Sequence, residues 1–181
     1  MPTALVTGGA VRLGRSIALH LAGRGYNIAL HYGSSRESAE QTAEETRKFG
    51  VQCKTYCVDF TNFDSIPLLM DQVLADFNSI DLLVNSAANF IQKNLEETSN
   101  PELLDTININ LMAPFILMRE FKKKVNNGLI INILDERILR RVPTFGAYSI
   151  SKSALAHLTE LSAVSWGETV RVNGIAPGLI L

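Results

Sequence analysis

Short apolar runs alternate along the chain with longer stretches in which apolar residues recur at helical spacing. The first apolar run, 4–7, ends at Gly8-Gly9 and precedes a helical pattern, which indicates a strand, a glycine turn and a helix. Further strands are predicted at 26–32, 51–58 and 80–84, and helices at 37–49 and 62–77. Elements in this order are typical of an α/β fold, in which a parallel sheet carries helices on both faces.

The second half of the chain continues with longer elements. The segment 99–102, Ser-Asn-Pro-Glu, combines a polar cap, a proline in the first turn and an acid, which predicts the start of a long helix. A near-continuous apolar run at 129–134 suits a central strand, and a helix at about 145–165 and a strand at 170–175 follow. The apolar side of the long helix is predicted to comprise Leu103, Leu104, Ile107, Leu111, Phe115 and Met118.

The composition limits the classes of function. The 181 residues are 46% hydrophobic and 19% charged, as expected for one folded domain. A net charge of −1 gives no field that would attract nucleic acid or an anionic membrane, so we expect a small-molecule partner. No apolar run reaches the length of a membrane span and the first residues enter a strand without a basic leader, so we interpret the protein as cytoplasmic.

The cysteines and histidines do not indicate a metal site. Cys53 and Cys57 fall in one predicted strand, about 13 Å apart, which is too far for a disulfide or a shared metal ion. We therefore expect free thiols in a reducing compartment. His20, His31 and His157 lack the spacing of metal ligands.

Tyr148 and Lys152 lie four residues apart in a predicted helix, so their side chains share one face. A cation beside a phenol favours the phenolate and lowers the pKa of the tyrosine, as a proton donor to a substrate requires. The alternative is a chance pair on an amphipathic helix.

The turn after the first strand, Thr7-Gly8-Gly9-Ala10-Val11-Arg12-Leu13-Gly14, suits a pyrophosphate. Its glycines let the backbone approach the ligand, and the next helix presents free N–H groups. An ordinary tight turn is the alternative interpretation. Arg12 stands where the usual spacing of three glycines would place a glycine, so this turn can hold an additional anion.

The end of the second strand indicates which dinucleotide is bound. The segment 31–36, His-Tyr-Gly-Ser-Ser-Arg, offers hydroxyl groups and a guanidinium before any carboxylate, whereas an NAD site wants an acid here for the ribose hydroxyls. Together with Arg12 this predicts a pocket for the 2′-phosphate of NADPH. Ser34 or Ser35 could also cap the next helix, and the two roles are compatible.

Five ordered motifs over nearly the whole chain resemble the short-chain dehydrogenase/reductase superfamily. The resemblance implies a Rossmann-type doubly wound sheet in a three-layer αβα arrangement, with strand order 3-2-1-4-5-6 and a seventh strand beyond residue 181. The motifs are Thr7–Gly14, Asn85–Ala88, Asn110, Tyr148–Lys152 and Asn173–Gly178.

Within that superfamily the chain is most similar to the pteridine reductase and dihydromonapterin reductase group. The similarity rests on Arg12-Leu13-Gly14, on His31-Tyr32 with Ser35, and on Asp135 where most relatives have a serine. Phe90 matches the aromatic ring that stacks on the pterin in pteridine reductases, although it could also be a piece of the core.

The resemblance also implies a mechanism. Hydride from NADPH reduces a C=N or C=O carbon, and Tyr148 supplies the proton. Lys152 lowers the pKa of Tyr148 and binds the nicotinamide ribose, and Asn110 holds a water that connects Lys152 to solvent. Asp135 orients Tyr148 or the substrate, or relays a proton to a pterin nitrogen; alternatively it caps the next turn or pairs with Arg137 or Arg141.

The same resemblance assigns the cofactor contacts. Asp59 corresponds to the acid that binds the adenine amine, and Pro177-Gly178 approach the nicotinamide. The full predicted set is Gly8, Arg12, Leu13, Gly14, His31, Tyr32, Ser34, Ser35, Asp59, Asn85, Ala87, Lys152, Pro177 and Gly178. The predicted substrate contacts are Phe90, Asp135 and Tyr148.

The chain departs from the family pattern in two places. Ser86 and Ala88 replace residues that usually form hydrogen bonds after the fourth strand. The sequence stops at Leu181, where relatives continue into a segment that covers the substrate and into the seventh strand. We therefore expect residues 1–181 to form a single dinucleotide-binding and catalytic domain without that segment, and loss of such a lid would weaken activity.

Three functions are consistent with these residues. The first is an NADPH-dependent reductase of pteridines or related heterocycles, and the second is a reductase of ketones or acyl thioesters. The third is an NADP-binding protein without turnover. The helices from Pro101 and around Tyr148 resemble those that pair across dimers and tetramers of the family, so a homo-oligomer, such as a homotetramer, is expected.

Overall fold

The computed structural model describes residues 1–125, 127–140 and 142–179. Six strands form one parallel sheet in the order β3-β2-β1-β4-β5-β6, with helices on both faces, as predicted. The strands are β1 Thr3–Val6, β2 Asn27–Tyr32, β3 Cys53–Cys57, β4 Leu82–Asn85, β5 Gly128–Ile133 and β6 Val170–Ile175. The helices are α1 Arg12–Gly23, α2 Arg36–Arg47, α3 Ser65–Phe77, α4 Asn100–Ile107, α5 Ala113–Lys124 and α6 Gly146–Trp166.

The sheet separates two hydrophobic layers because alternate residues of each strand face opposite sides. Leu5 of β1 belongs to the layer with α3 and α5, whereas its neighbour Val6 belongs to the layer with α1 and α2. The first layer contains large side chains such as Phe121, and the second contains alanines such as Ala18 and Ala39. The small side chains allow α1 and α2 to pack close to the strands that end beside the glycine turn.

Helix α3 begins three residues later than predicted, at Ser65 rather than at residue 62. Side-chain oxygens of Asp59 and Asn62 accept hydrogen bonds from the backbone N–H groups two residues ahead, of Thr61 and Asp64. These local turns compete with helical hydrogen bonding and delay the start of the helix.

The long helix predicted from residue 99 begins as expected. The Ser99 hydroxyl accepts from the Glu102 N–H, and the Glu102 carboxylate accepts from the Ser99 N–H, which completes a capping box. A π-helical segment, Asn108–Met112, then separates α4 from α5.

The predicted apolar side of this helix is only partly correct. Met118 is fully buried, whereas Leu104 is 59% and Phe115 42% exposed. A π turn contains more residues than an α turn, so it rotates the side chains that follow it relative to those before it. One helical stripe therefore does not extend through the whole helix.

Neither cysteine forms a disulfide: Cys53 is buried and Cys57 is exposed. Over the described ranges, no group of His, Cys, Asp or Glu side chains is arranged to hold a metal ion. Among the helices of these same ranges, none has the length and apolar character needed to cross a membrane.

Two buried asparagines connect the centre of the sheet to α6. The Asn85 amide donates to Asn132 Oδ1 at 2.8 Å, and the Asn132 amide donates to Thr159 Oγ1 at 2.8 Å. Both asparagines are almost fully buried, so each hydrogen bond avoids an unpaired polar group in the core.

Replacing Asn132 with alanine is therefore expected to lower the free energy of unfolding by about 1–3 kcal/mol, because the Asn85 amide loses its acceptor. Chemical denaturation would measure this change. The exposed residue Gln72 on α3 provides a control, since Gln72→Ala should change the stability by less than about 0.5 kcal/mol. Equal stabilities of the two variants would contradict the prediction.

Candidate active site

A cavity of about 1150 Å³ opens at the carboxyl ends of the strands. Its walls come from the turn after β1, the end of β2, the residues after β3 and the loops after β4, β5 and β6. Parallel sheets with this strand order bind ligands at this edge. The cavity brings the glycine turn and Tyr148 to one site, as the sequence predicts.

The glycine turn packs directly against the loop after β4. Gly8 has a φ of +64°, and a Cβ atom on it would lie 2.8 Å from Ala87 Cα. A Cβ on Gly14 would collide with the carbonyl oxygen of Gly8. The turn therefore requires glycine at both positions. Because no side chains stand there, a diphosphate could approach the backbone of the turn closely.

Thr7 joins these two loops, a role that sequence analysis did not assign to it. Its hydroxyl donates to the Val84 carbonyl at 3.3 Å and accepts from the N–H groups of Ser86 and Ala87, both at 3.0 Å. The hydroxyl thereby satisfies three backbone groups at the mouth of the cavity. Its position directly before the glycine turn is the sequence signal that could have identified it.

His31 lies beneath the glycine turn rather than offering its ring nitrogens to a ligand. Nδ1 accepts from the Gly8 N–H at 3.2 Å, and Nε2 donates to the Val58 carbonyl at 2.9 Å. The ring stacks on Phe60 with centroids 4.0 Å apart. Burial lowers the pKa of His31 to about 4, so the ring is neutral at physiological pH. His31 supports the turn in this way and also lines the cavity, so its predicted contact with the cofactor stays a prediction.

The region predicted to hold a 2′-phosphate is lined by Arg12, Tyr32, Ser34 and Ser35. Arg12 has a φ of +50°, in the left-handed region that glycine adopts most easily, at the position where a glycine was expected. Ser35 occupies the N-cap position of α2, but its side chain makes no capping hydrogen bond. The capping alternative is therefore not supported for Ser35.

Asp59 lines the same cavity. Its Oδ1 accepts from the backbone N–H of Thr61 at 2.9 Å and from the Thr61 hydroxyl at 2.8 Å. These two hydrogen bonds hold the pKa of Asp59 below its usual value. The remaining carboxylate oxygen makes no hydrogen bond with the described residues, which suits the predicted contact with an amine.

Tyr148 and Lys152 are buried on the first turns of α6 but do not form a simple pair. The Tyr148 hydroxyl donates to Asp135 Oδ2 at 3.0 Å, and Lys152 Nζ donates to the Ile133 carbonyl at 2.6 Å. Burial and the Asp135 carboxylate raise the pKa of Tyr148, and burial lowers that of Lys152 to about 8. The predicted lowering of the Tyr148 pKa is thus wrong for this arrangement, because burial and the carboxylate that accepts from the hydroxyl both disfavour the phenolate.

Asp135 combines the roles that sequence analysis treated as alternatives. It accepts from Tyr148, caps the next turn by accepting from the Arg137 N–H at 2.8 Å, and pairs with the Arg137 guanidinium. Arg141, the other predicted partner, lies outside the described residues.

Asn110 and Asn85 do not line the cavity. Asn110 lies in the π-helical segment, where its side chain bonds both the N–H and the carbonyl of Asn89 and donates to Ser151 Oγ at 3.0 Å. It therefore fastens the loop after β4 to α6, while its role in holding a water stays a prediction. The Asn85 side chain points to Asn132 in the sheet, and its predicted backbone or amide contact with the cofactor stays a prediction.

Phe90 is half-exposed at the substrate end of the cavity. Its ring meets Tyr148 edge-on with centroids 4.7 Å apart and lies 4.9 Å from the ring of Phe145. The remaining predicted contacts Leu13, Ala87, Pro177 and Gly178 also line the cavity. Stacking of a substrate on Phe90 stays a prediction.

The neutral, buried His31 leads to a testable pH dependence of stability. Its pKa is about 4 in the folded chain and about 6.5 when exposed, so the unfolded chain binds more protons between these values. The stability due to His31 is full above pH 6.5 and is lost as the pH falls to 4. We expect the stability difference between the natural chain and His31→Gln to fall by about 3 kcal/mol over this range.

Denaturation at a series of pH values measures this difference. The exposed Gln72 on α3 supplies the control because it carries no titratable group, and the natural chain and Gln72→Ala should differ by the same amount at every pH. A difference for His31→Gln that does not change with pH would show that the ring is not held neutral.

Comparison with known proteins gives a consistent assignment. The family model described as short chain dehydrogenase matches residues 2–181. The 3-oxoacyl-[acyl-carrier-protein] reductase FabG of Staphylococcus epidermidis is 31% identical over 99% of this chain and 75% of its own length. The 2-dehydro-3-deoxy-D-gluconate 5-dehydrogenase of Escherichia coli is 33% identical over 97% of this chain and 70% of its own length.

Solved structures agree with the observed fold. A dehydrogenase/reductase from Sinorhizobium meliloti superposes with a TM-score of 0.94 at 32% identity, covering 98% of this chain and 71% of that one. An NAD+-bound xylitol dehydrogenase superposes with a TM-score of 0.90 at 30% identity, covering 98% of this chain and 70% of that one. The chain therefore belongs to the short chain dehydrogenases, a family of oxidoreductases that use a nicotinamide cofactor.

Proposed function

We propose that this chain is an NADPH-dependent reductase of a pteridine or a closely related planar nitrogen heterocycle. The observation that carries the proposal is the 3.0 Å hydrogen bond from the Tyr148 hydroxyl to Asp135. This hydrogen bond joins the Asp135 carboxylate to the phenol hydroxyl that would deliver the proton. We further propose that residues 1–181 act as one dinucleotide-binding and catalytic domain.

The cavity fits a dinucleotide. The cradle formed by Gly8 and Gly14 would hold the diphosphate, and the carboxylate of Asp59 would accept from the adenine amine. At the other end Lys152, Pro177 and Gly178 line the space for the nicotinamide. The reduced nicotinamide, when bound, supplies the hydride.

Preference for NADPH over NADH is proposed from the charges beside β2. Arg12 is a cation at the edge of the cavity, the hydroxyls of Ser34 and Ser35 line it, and the first carboxylate after β2 is Glu37 on α2. This set favours a phosphate over free ribose hydroxyls.

The chain's own residues explain the proposed substrate class. When Tyr148 turns its proton toward a substrate atom, the largely buried Asp135 loses the hydrogen bond from the phenol. A heterocycle that brings a ring N–H group to Asp135 replaces that donor, whereas a simple ketone does not. Without such a group Oδ2 keeps only its hydrogen bond from Arg137, and losing one of its two donors in a largely enclosed site is costly, so the site favours heterocycles.

Reduction of an acyl thioester is the second candidate, because relatives at 31–32% identity are named as 3-oxoacyl-[acyl-carrier-protein] reductases. On this alternative Asp135 merely replaces a serine. A protein that binds NADP without turnover is the third candidate.

A panel of dihydropterin, dihydrofolate, ketone and 3-oxoacyl thioester substrates tests the proposal by NADPH oxidation. We expect turnover of the dihydropterin and a loss of at least about 100-fold in Tyr148→Phe, because the proton donor is removed. Asp135→Ser should lower kcat/KM for the pterin and raise the ratio of kcat/KM for the ketone to kcat/KM for the pterin. Turnover of thioesters or ketones alone would favour the second candidate, and NADPH binding without turnover the third.

Replacing Arg12 with alanine should weaken NADPH binding by about 10- to 100-fold and leave NADH binding nearly unchanged, because only NADPH carries the 2′-phosphate. Fluorescence titration of the two cofactors measures both constants. Arg24→Ala, at the other end of α1 and away from the cavity, should leave the NADPH/NADH ratio as it is. An unchanged ratio of NADPH to NADH affinity in Arg12→Ala would contradict the proposed pocket for the 2′-phosphate.

A homo-oligomer is also proposed. The outer faces of α4, α5 and α6 expose Leu104, Phe115, Leu161 and Val164, which supports pairing of these helices between copies.

A further inference from the structure

Arg137 is a cationic side chain that is joined to Tyr148 through Asp135. It lies in the short 3₁₀ turn Glu136–Ile138, directly after Asp135. Its Nη1 donates to both oxygens of Asp135, at 3.0 and 2.9 Å, and Asp135 Oδ2 also accepts from Tyr148. The guanidinium, the carboxylate and the phenol hydroxyl therefore form one continuous chain of hydrogen bonds.

Two aromatic rings fix the position of this guanidinium. Its central carbon lies 4.4 Å from the centroid of Phe145 and 5.5 Å from that of Phe90. Phe90 in turn touches Tyr148 edge-on. Cation–π contacts on both rings restrict the long side chain, so the donors of Arg137 have a defined orientation before a substrate arrives.

The contact with Asp135 uses only part of the hydrogen-bonding capacity of Arg137. Nη1 makes both bonds to the carboxylate, while Nε is buried without an acceptor within the described part of the chain. Nη2 likewise makes no hydrogen bond to a described residue. A guanidinium has five N–H donors, and unsatisfied donors at the wall of a cavity call for an acceptor from elsewhere.

We propose that Arg137 determines substrate specificity by donating to a carbonyl oxygen of the heterocycle, beside the N–H group that Asp135 accepts. This inference rests on the proposed function and deepens it. Asp135 and Arg137 together present an acceptor next to a donor, and the complementary ligand is a planar ring edge with an N–H next to a carbonyl. The pyrimidinone edge of a pterin has this pattern, whereas a linear oxoacyl chain has a carbonyl without the N–H.

Paired ligands test this role on the full chain in the presence of NADP+, so that no hydride is transferred during the measurement. The two ligands are a pterin with its ring carbonyl and the diaminopteridine in which an amino group replaces that carbonyl. Calorimetric titration measures both dissociation constants. We expect Arg137→Gln to weaken pterin binding by about 10- to 100-fold and diaminopteridine binding by less than about 3-fold.

Arg137→Met repeats the test with an apolar side chain of similar length, which can still pack on Phe145. NADP+ binding by each variant reports whether the site has kept its fold, and Arg24→Gln, away from the cavity, should bind both pteridines as the natural chain does. The same selective loss in both variants supports the proposal.

Equal weakening of both ligands, with NADP+ binding intact, would mean that Arg137 only holds Asp135 in place, and the proposal would be overturned while the proposed function stands. Failure of the natural chain to bind either pteridine would overturn the inference together with the pteridine function.

Discussion

The site depends on the close approach of the turn after β1 to the loop after β4. Gly8 lies so near Ala87 that a single methyl group would not fit, and the Thr7 hydroxyl bonds the backbone at the end of β4 and in the loop after it. The cavity walls on one side of this contact follow β1, β2 and β3, and those on the other side, with Asp135 and Tyr148, follow β4 and β5. This one contact therefore fixes the distance between the glycine turn and the Tyr148 end of the cavity.

Electrostatic balance around Asp135 is the second constraint on the site. The carboxylate is largely enclosed, yet it accepts from a phenol, a guanidinium and a backbone N–H. These donors compensate for the water that it has lost. The same carboxylate keeps the Tyr148 proton in place, and burial weakens the hold of Lys152 on its own proton. Under the proposed function, a substrate would have to displace the hydrogen bond between Tyr148 and Asp135 before it receives a proton from Tyr148.

The sheet and the location of the site could be predicted from sequence because both follow from local patterns. Apolar runs placed the strands along the chain, helical spacing placed Tyr148 and Lys152 on one face, and the resemblance to short-chain dehydrogenases supplied the strand order. The direction of the shift in the Tyr148 pKa could not be predicted in this way, since it depends on the burial of the phenol and on its contact with Asp135. The inward orientation of Asn85 similarly depends on Asn132, which lies 47 residues further along the chain.

The π-helical segment around Asn110 explains why the buried side of the long helix could not be predicted from one regular helical spacing. The residue was identified correctly as belonging to that helix, but the π turn around it has no clear signature in the sequence. That turn changes which residues face the sheet beyond it, and it presents the Asn110 amide to the backbone of Asn89. A departure from regular geometry thus serves a contact that a regular helix would not make.

Under the proposed function, the left-handed backbone at Arg12 would connect stability with cofactor choice. A side chain in this conformation costs about 1 kcal/mol relative to glycine, and glycine is the residue expected at this position of the turn. The Arg12 guanidinium, which would bind the 2′-phosphate of NADPH, would therefore be retained although the backbone conformation favours glycine. Selection for thermal stability alone would favour Arg12→Gly, and the resulting protein would be more robust but less able to distinguish the two nicotinamide dinucleotides.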